Sequence, residues 1–182
     1  MRAHRHVIST LLASVILITA CDSGEEHVQR SGFAVLTQHA ESFRQAEPGR
    51  KLEFPRDHGP HPDYRIEWWY LTANLRDDAN RPFGVQWTLF RMAVNPTGSD
   101  KLPAQGQSDQ VFMAHMAITT PDDHFPFQRY ARGAREPDLP RAGVQANPFS
   151  AWLDDWSMRS SGAGWLPLDV LASQDGYSMN LR

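Results

Sequence analysis

The feature that most constrains this chain is a pair of β-rich runs joined by a turn. The first is Arg65-Ile-Glu-Trp-Trp-Tyr-Leu-Thr-Ala-Asn-Leu75, and the second is Phe83-Gly-Val-Gln-Trp-Thr-Leu-Phe-Arg-Met-Ala-Val94. Between them lies Arg76-Asp-Asp-Ala-Asn-Arg-Pro82. Aromatic and β-branched runs bounded by Asp, Asn and Pro predict a long antiparallel hairpin. Side chains alternate faces along a strand, so Glu67, Trp69, Leu71, Ala73 and Leu75 share one face. Pairing Leu75 with Phe83 at the tip sets Leu71 against Trp87, Trp69 against Leu89 and Glu67 against Arg91. A face of Trp and Leu closed by one carboxylate and one guanidinium is what the inside of a narrowing β-barrel requires. The opposite face, with Ile66, Trp68, Tyr70, Phe90 and Met92, is too apolar to be left wet. An N-terminal helix or a second domain is expected to cover it.

Strand signals continue at 111–119, 151–158, 165–171 and 176–182, which predicts about six strands in up-and-down order. Residues 121–148 hold five prolines and read as a long insertion loop. The expected fold is therefore all-β: a lipocalin-like antiparallel up-and-down barrel, incomplete at its C-terminal end, with a short N-terminal helix. Phe33, Leu36, His39, Ala40 and Phe43 have the spacing for that helix, and Pro48-Gly49 would stop it.

The N-terminus reads as an export signal. Arg2 and Arg5 precede an apolar stretch, Val7 to Ala20, that is too short to span a bilayer. It ends Ile18-Thr19-Ala20-Cys21, which resembles a bacterial lipobox, so Cys21 is the expected lipidation site and residues 1–20 the signal peptide. Residues 21–53 form a tether with the short helix, and 54–182 the barrel domain. Acyl chains would hold the mature chain on an envelope membrane facing the periplasm. One cysteine in 182 residues excludes an internal disulfide. The net charge of −3, with no long run of one sign, provides no footing for nucleic acid.

Candidate chemistry gathers around the hairpin. Glu67 beside tryptophans can act as a general acid, or it can form a structural ion pair with Arg91. His115 alternates with Val111, Met113 and Ala117; it can point into the cavity as an acid or base, or be a satisfied core histidine. Trp69, Leu71, Trp87, Leu89 and Arg91 are the expected ligand-binding wall. Asp57-His58-Gly59-Pro60-His61 places two histidines three apart beside a carboxylate. Without a third strong ligand this supports no metal site, and the histidines are expected to hydrogen-bond the barrel rim. Phosphate-binding glycine loops, a Gly-x-Ser-x-Gly elbow and Cys-x-x-Cys pairs are missing from the sequence, so no cofactor is expected.

Three segments resemble one family: Phe54-Pro-Arg-Asp-His-Gly-Pro-His-Pro-Asp-Tyr-Arg-Ile-Glu-Trp-Trp-Tyr70, Phe83 to Arg91, and Met113-Ala-His-Met-Ala-Ile118. Together they are similar to the N-terminal half of the carotenoid 1,2-hydratase / AttH-like family. The resemblance implies two lipocalin-like domains, of which the C-terminal one is missing here. It also implies an apolar, polyene-like or lipid-like ligand and, in one branch, cofactor-free addition of water to a carbon–carbon double bond. A carboxylic acid would protonate the alkene, aromatic faces would stabilise the cation, and a held water would attack. A secreted hydrolase is a related expectation. A non-catalytic carrier or assembly factor for hydrophobic molecules of the envelope needs the same walls and stays open beside them.

Overall fold

The computed structural model describes residues 40–96, 107–134 and 141–182. All belong to one compact unit, Leu36–Arg182. The expected signal peptide, the expected lipidation site Cys21 and most of the expected N-terminal helix lie outside the described residues. A 3₁₀ turn, Ala40–Ser42, precedes the buried Phe43.

Among the described residues, nine strands form two antiparallel meanders. The first sheet holds β1 (Ile66–Arg76), β2 (Pro82–Ala93), β3 (Gln107–Thr119) and β4 (His124–Ala134) in that order. The second holds β5 (Ala142–Ala146), β6 (Phe149–Leu153), β7 (Trp156–Ser160), β8 (Leu168–Gln174) and β9 (Tyr177–Leu181). The fold is thus all-β, up-and-down and lipocalin-like, with the two sheets not joined into a closed barrel.

The hairpin adopts the predicted register, with Leu75 opposite Phe83, Leu71 opposite Trp87, Trp69 opposite Leu89 and Glu67 opposite Arg91. Its turn is fastened by Asp77, whose carboxylate accepts from the backbone N–H groups of Ala79 (3.0 Å) and Arg81 (2.9 Å). Such an Asp turn closes a loop without needing glycine throughout. The Arg81 bonds hold the Asp77 carboxyl below the usual range.

Residues 121–148 depart from expectation, because they contain β4 and β5 as well as loop. Phe125, Phe127, Arg129, Ala131 and Gly133 alternate inward against exposed Pro126, Gln128, Tyr130 and Arg132. Pro126 argues against a central strand, but β4 pairs only with β3, and an edge strand tolerates a missing N–H. The predicted strand 151–158 is likewise a hairpin. Asp154, at φ 53°, turns β6 into β7, and Arg141 clamps its carboxylate at 2.8 and 2.9 Å.

A single core lies between the sheets. Val85, Trp87, Leu89, Phe112, Ala114 and Met116 of the first meet Phe149, Leu153, Trp156, Met158, Val170 and Met179 of the second. Arg129 also staples the layers together. Its guanidinium lies over the Trp156 ring, donates to the Ser173 carbonyl (2.9 Å) and pairs with Asp155.

Candidate functional site

The inward face of the hairpin is packed. Trp87 and Leu89 have no exposed surface, while Trp69 and Leu71 are partly buried against the same core. Side chains of the second sheet pack against this face, most closely at Trp87 and Leu89. Open space lies at both ends of this face: a hollow of about 500 Å³ at the hairpin tip, lined by Ala73, Leu75, Phe83 and Val85, and a cleft beside the loop 57–61. The cleft, of about 360 Å³, is lined by Asp57, His58, Gly59, His61, Glu67, Trp68, Trp69 and Trp165.

The loop is held in place by a chain of charged groups. Arg91, 1% exposed, donates from Nε to Glu67 Oε2 at 2.8 Å, with Nη2 2.7 Å from the same oxygen in an ion pair. Nη2 also reaches the carbonyls of His61 (2.9 Å) and Tyr64 (2.7 Å). The Glu67 carboxylate in turn accepts the His61 backbone N–H at 2.8 and 3.0 Å, and His61 Nδ1 lies 2.6 Å from Oε1. On its other side, His61 Nε2 lies 2.8 Å from Asp57 Oδ1. The Asp57 carboxylate, fully enclosed, accepts the Glu53 backbone N–H at 2.6 Å and meets Arg50 Nη2 at 3.0 Å. The Glu53 amide, His61 and Arg50 together hold the Asp57 carboxyl well below the usual carboxylate range. The sequence Arg–Glu–His–Asp thus ties strand, loop and entry segment together, with each of the four side chains in contact with the next.

The rest of the loop forms the aromatic wall. Trp69 Nε1 donates to the His58 carbonyl at 2.9 Å. The His58 ring stacks on Trp165 at 3.7 Å and 15°, and the Phe54 ring lies 4.3 Å from it, tilted by 30°. Burial lowers the His58 pKa, because the enclosed ring cannot share its charge with water. Gly59 is where the loop meets the second sheet: a Cβ there would stand 2.6 Å from Ala146 Cβ. Only glycine permits so close an approach.

Glu67 and Arg91 are brought together as expected, and the loop histidine His61 bonds the rim as expected. His115 is not near them. Its register partners are Thr88 and Gln128, which puts it on the outer face, 5.4 Å edge-on to Phe90. The residues that alternate into the core from β3 are Phe112, Ala114 and Met116. Asp57, His58 and Trp165 were not anticipated as one wall. His58 and Trp165 are more than a hundred residues apart, and only tertiary packing makes them neighbours. Among the described residues, no cluster of three or more His, Cys, Asp or Glu is arranged to hold a metal ion.

A family model for AttH-like proteins matches residues 45–182, which includes the whole cleft and both sheets. The chain belongs to the AttH-like family. A crystal structure assigned to AttH from Nitrosomonas europaea is 31% identical, with a TM-score of 0.57. The match covers 76% of this chain and 39% of that one, so this AttH-like chain spans well under half of the solved relative. No curated protein matches the chain.

Proposed function

We propose that this AttH-like protein is an exported, lipid-anchored lipocalin-like protein that takes up an apolar, polyene-like or lipid-like molecule and holds it at the aromatic cleft. The observation that carries this is the convergence of Trp68, Trp69 and Trp165 on one open cleft beside the loop 57–61. Indole faces give large apolar contact with two rotatable bonds to restrain, which suits an elongated, poorly polar ligand. In this proposal the mature chain begins at lipidated Cys21, faces the periplasm, and works with a second lipocalin-like domain.

Carriage is favoured over hydration by one feature of the site. Both oxygens of Glu67 already accept hydrogen bonds from Arg91 and His61, and His115 faces away. Neither of the acids expected from the sequence offers a free proton-bearing atom to the cleft, as protonation of an alkene would require. Titrating the purified protein with an acyclic carotenoid tests both readings. Saturable quenching of tryptophan emission, weakened several-fold in Trp165→Ala, with the carotenoid recovered unchanged, is the expected result. Recovery of a product heavier by one water would establish hydration instead. Quenching that never saturates, or that Trp165→Ala leaves untouched, would remove the cleft from the account.

A further inference from the structure

Among the described residues, the titratable side chains that line the cleft beside the loop 57–61 are Asp57, His58, His61 and Glu67. Three of them are already engaged. Both Glu67 oxygens accept from Arg91 or His61, both His61 ring nitrogens lie against carboxylates, and Asp57 meets Arg50, His61 and the Glu53 amide. His58 differs. Its backbone is fixed because its carbonyl accepts the Trp69 indole N–H at 2.9 Å, and its ring is fixed because it stacks on Trp165 and lies beside Phe54 and Phe149. Stacking occupies the faces of an imidazole, whereas its nitrogens lie on the edge and bond in the ring plane. Among the described residues, neither His58 ring nitrogen has a hydrogen-bond partner.

We infer that His58 selects the polar end of the ligand, so that the molecule held in the cleft is an amphiphile with an uncharged, hydroxyl-bearing end, neither a bare hydrocarbon nor a charged lipid. The inference rests on the cleft being the binding site, as proposed above. A neutral imidazole carries one N–H donor and one acceptor nitrogen, and a hydroxyl both gives and takes a hydrogen bond. Charged ends fit worse for two reasons. Asp57 and Glu67 line the cleft, while the Arg50 and Arg91 guanidinium groups that balance them do not, so a carboxylate there would face acids with no cation turned toward it. Burial disfavours the protonated form of His58 itself, and the same poor solvation of charge penalises an ammonium placed against the ring. A hydrocarbon end would displace water from the ring nitrogens and offer them nothing in return.

Retinol, retinoate and retinylamine share one polyene and differ at the end group, which makes them the probes for a test on the full chain. Energy transfer from tryptophan to the polyene reports binding, at about pH 8, where the acid and the amine are both charged. The parent should bind retinol several-fold more tightly than either charged analogue. His58→Phe keeps a flat ring to stack on Trp165 and removes both nitrogens; it should weaken retinol several-fold and leave the three ligands nearly level. Retinoate or retinylamine bound by the parent as tightly as retinol overturns the inference, whatever any variant does. So does an affinity for retinol that His58→Phe leaves unchanged; if Trp165→Ala still weakens it, the cleft stands and only the role of His58 falls. Absence of saturable binding by all three removes the cleft and the inference together.

Discussion

Replacing Glu67 by Gln removes the carboxylate that pairs with Arg91, whose guanidinium is 1% exposed. Breaking a buried pair from one side costs about 3–5 kcal/mol, because the remaining charge is left without compensation. The lower end applies here, since Glu67 is 13% exposed and the glutamine carbonyl can still accept one of the bonds. A loss of about 3 kcal/mol corresponds to a drop in Tm of roughly 6–12 °C for a chain of this size. Urea unfolding followed by tryptophan emission measures it directly. The partner substitution Arg91→Met also frees the His61 and Tyr64 carbonyls, so it should be destabilising as well. In the double variant no unpaired charge remains, and the two costs should fall short of additivity by about 1–3 kcal/mol. A Glu67→Gln variant within about 1 kcal/mol of the parent, with no coupling to Arg91→Met, would refute the claim that this pair holds the loop to the strand. Loss of a chemical activity in so stable a variant would return Glu67 to a role in chemistry.

Two further outcomes follow from the same loop. Gly59→Ala should lower stability by about 1–3 kcal/mol through overpacking against Ala146, and it should loosen the cleft; limited proteolysis within residues 50–65 faster than in the parent checks this, and an unchanged melt would show that the loop can give way. The pH dependence has two limbs. His58 is held below its usual 6.5 in the folded state, so the unfolded chain takes up the proton first; its contribution is present above 6.5 and is lost as pH falls below that value. Asp57 is held below 3.8, so its contribution is present above 3.8 and disappears only on further acidification through the folded value. Thermal melts across this range should show His58→Phe losing the first limb and keeping the second. A first limb that persists in that variant would assign it to another group.

Much of the architecture was legible in the sequence because strand periodicity is local. The alternation through β1 and β2, with one turn between them, was enough to set the register that pairs Glu67 with Arg91, since a slip of one residue would have turned the whole apolar set to water. The same logic failed where a local rule has a tertiary exception. Pro126 hid β4, because whether proline is tolerated depends on which strand lies at the edge. Asp154 hid the turn between β6 and β7, because a non-glycine residue at positive φ leaves little trace in composition. The direction of His115 was left open for a related reason: its neighbours on both faces are apolar, so alternation alone could not say which set faced the second sheet.

The sequence by itself determined strand type, hairpin register and the acid–base pair, each of which depends on spacing along one or two adjacent segments. Only the tertiary structure decided that the second sheet packs most closely at Trp87 and Leu89, that His58 stacks on Trp165, and that Trp68, Tyr70 and Tyr130 are exposed. Those outcomes depend on how two sheets built from separate stretches of the chain, 66–134 and 142–181, lie against each other. Such packing follows from the summed shape of many side chains and leaves no periodic mark in any one segment.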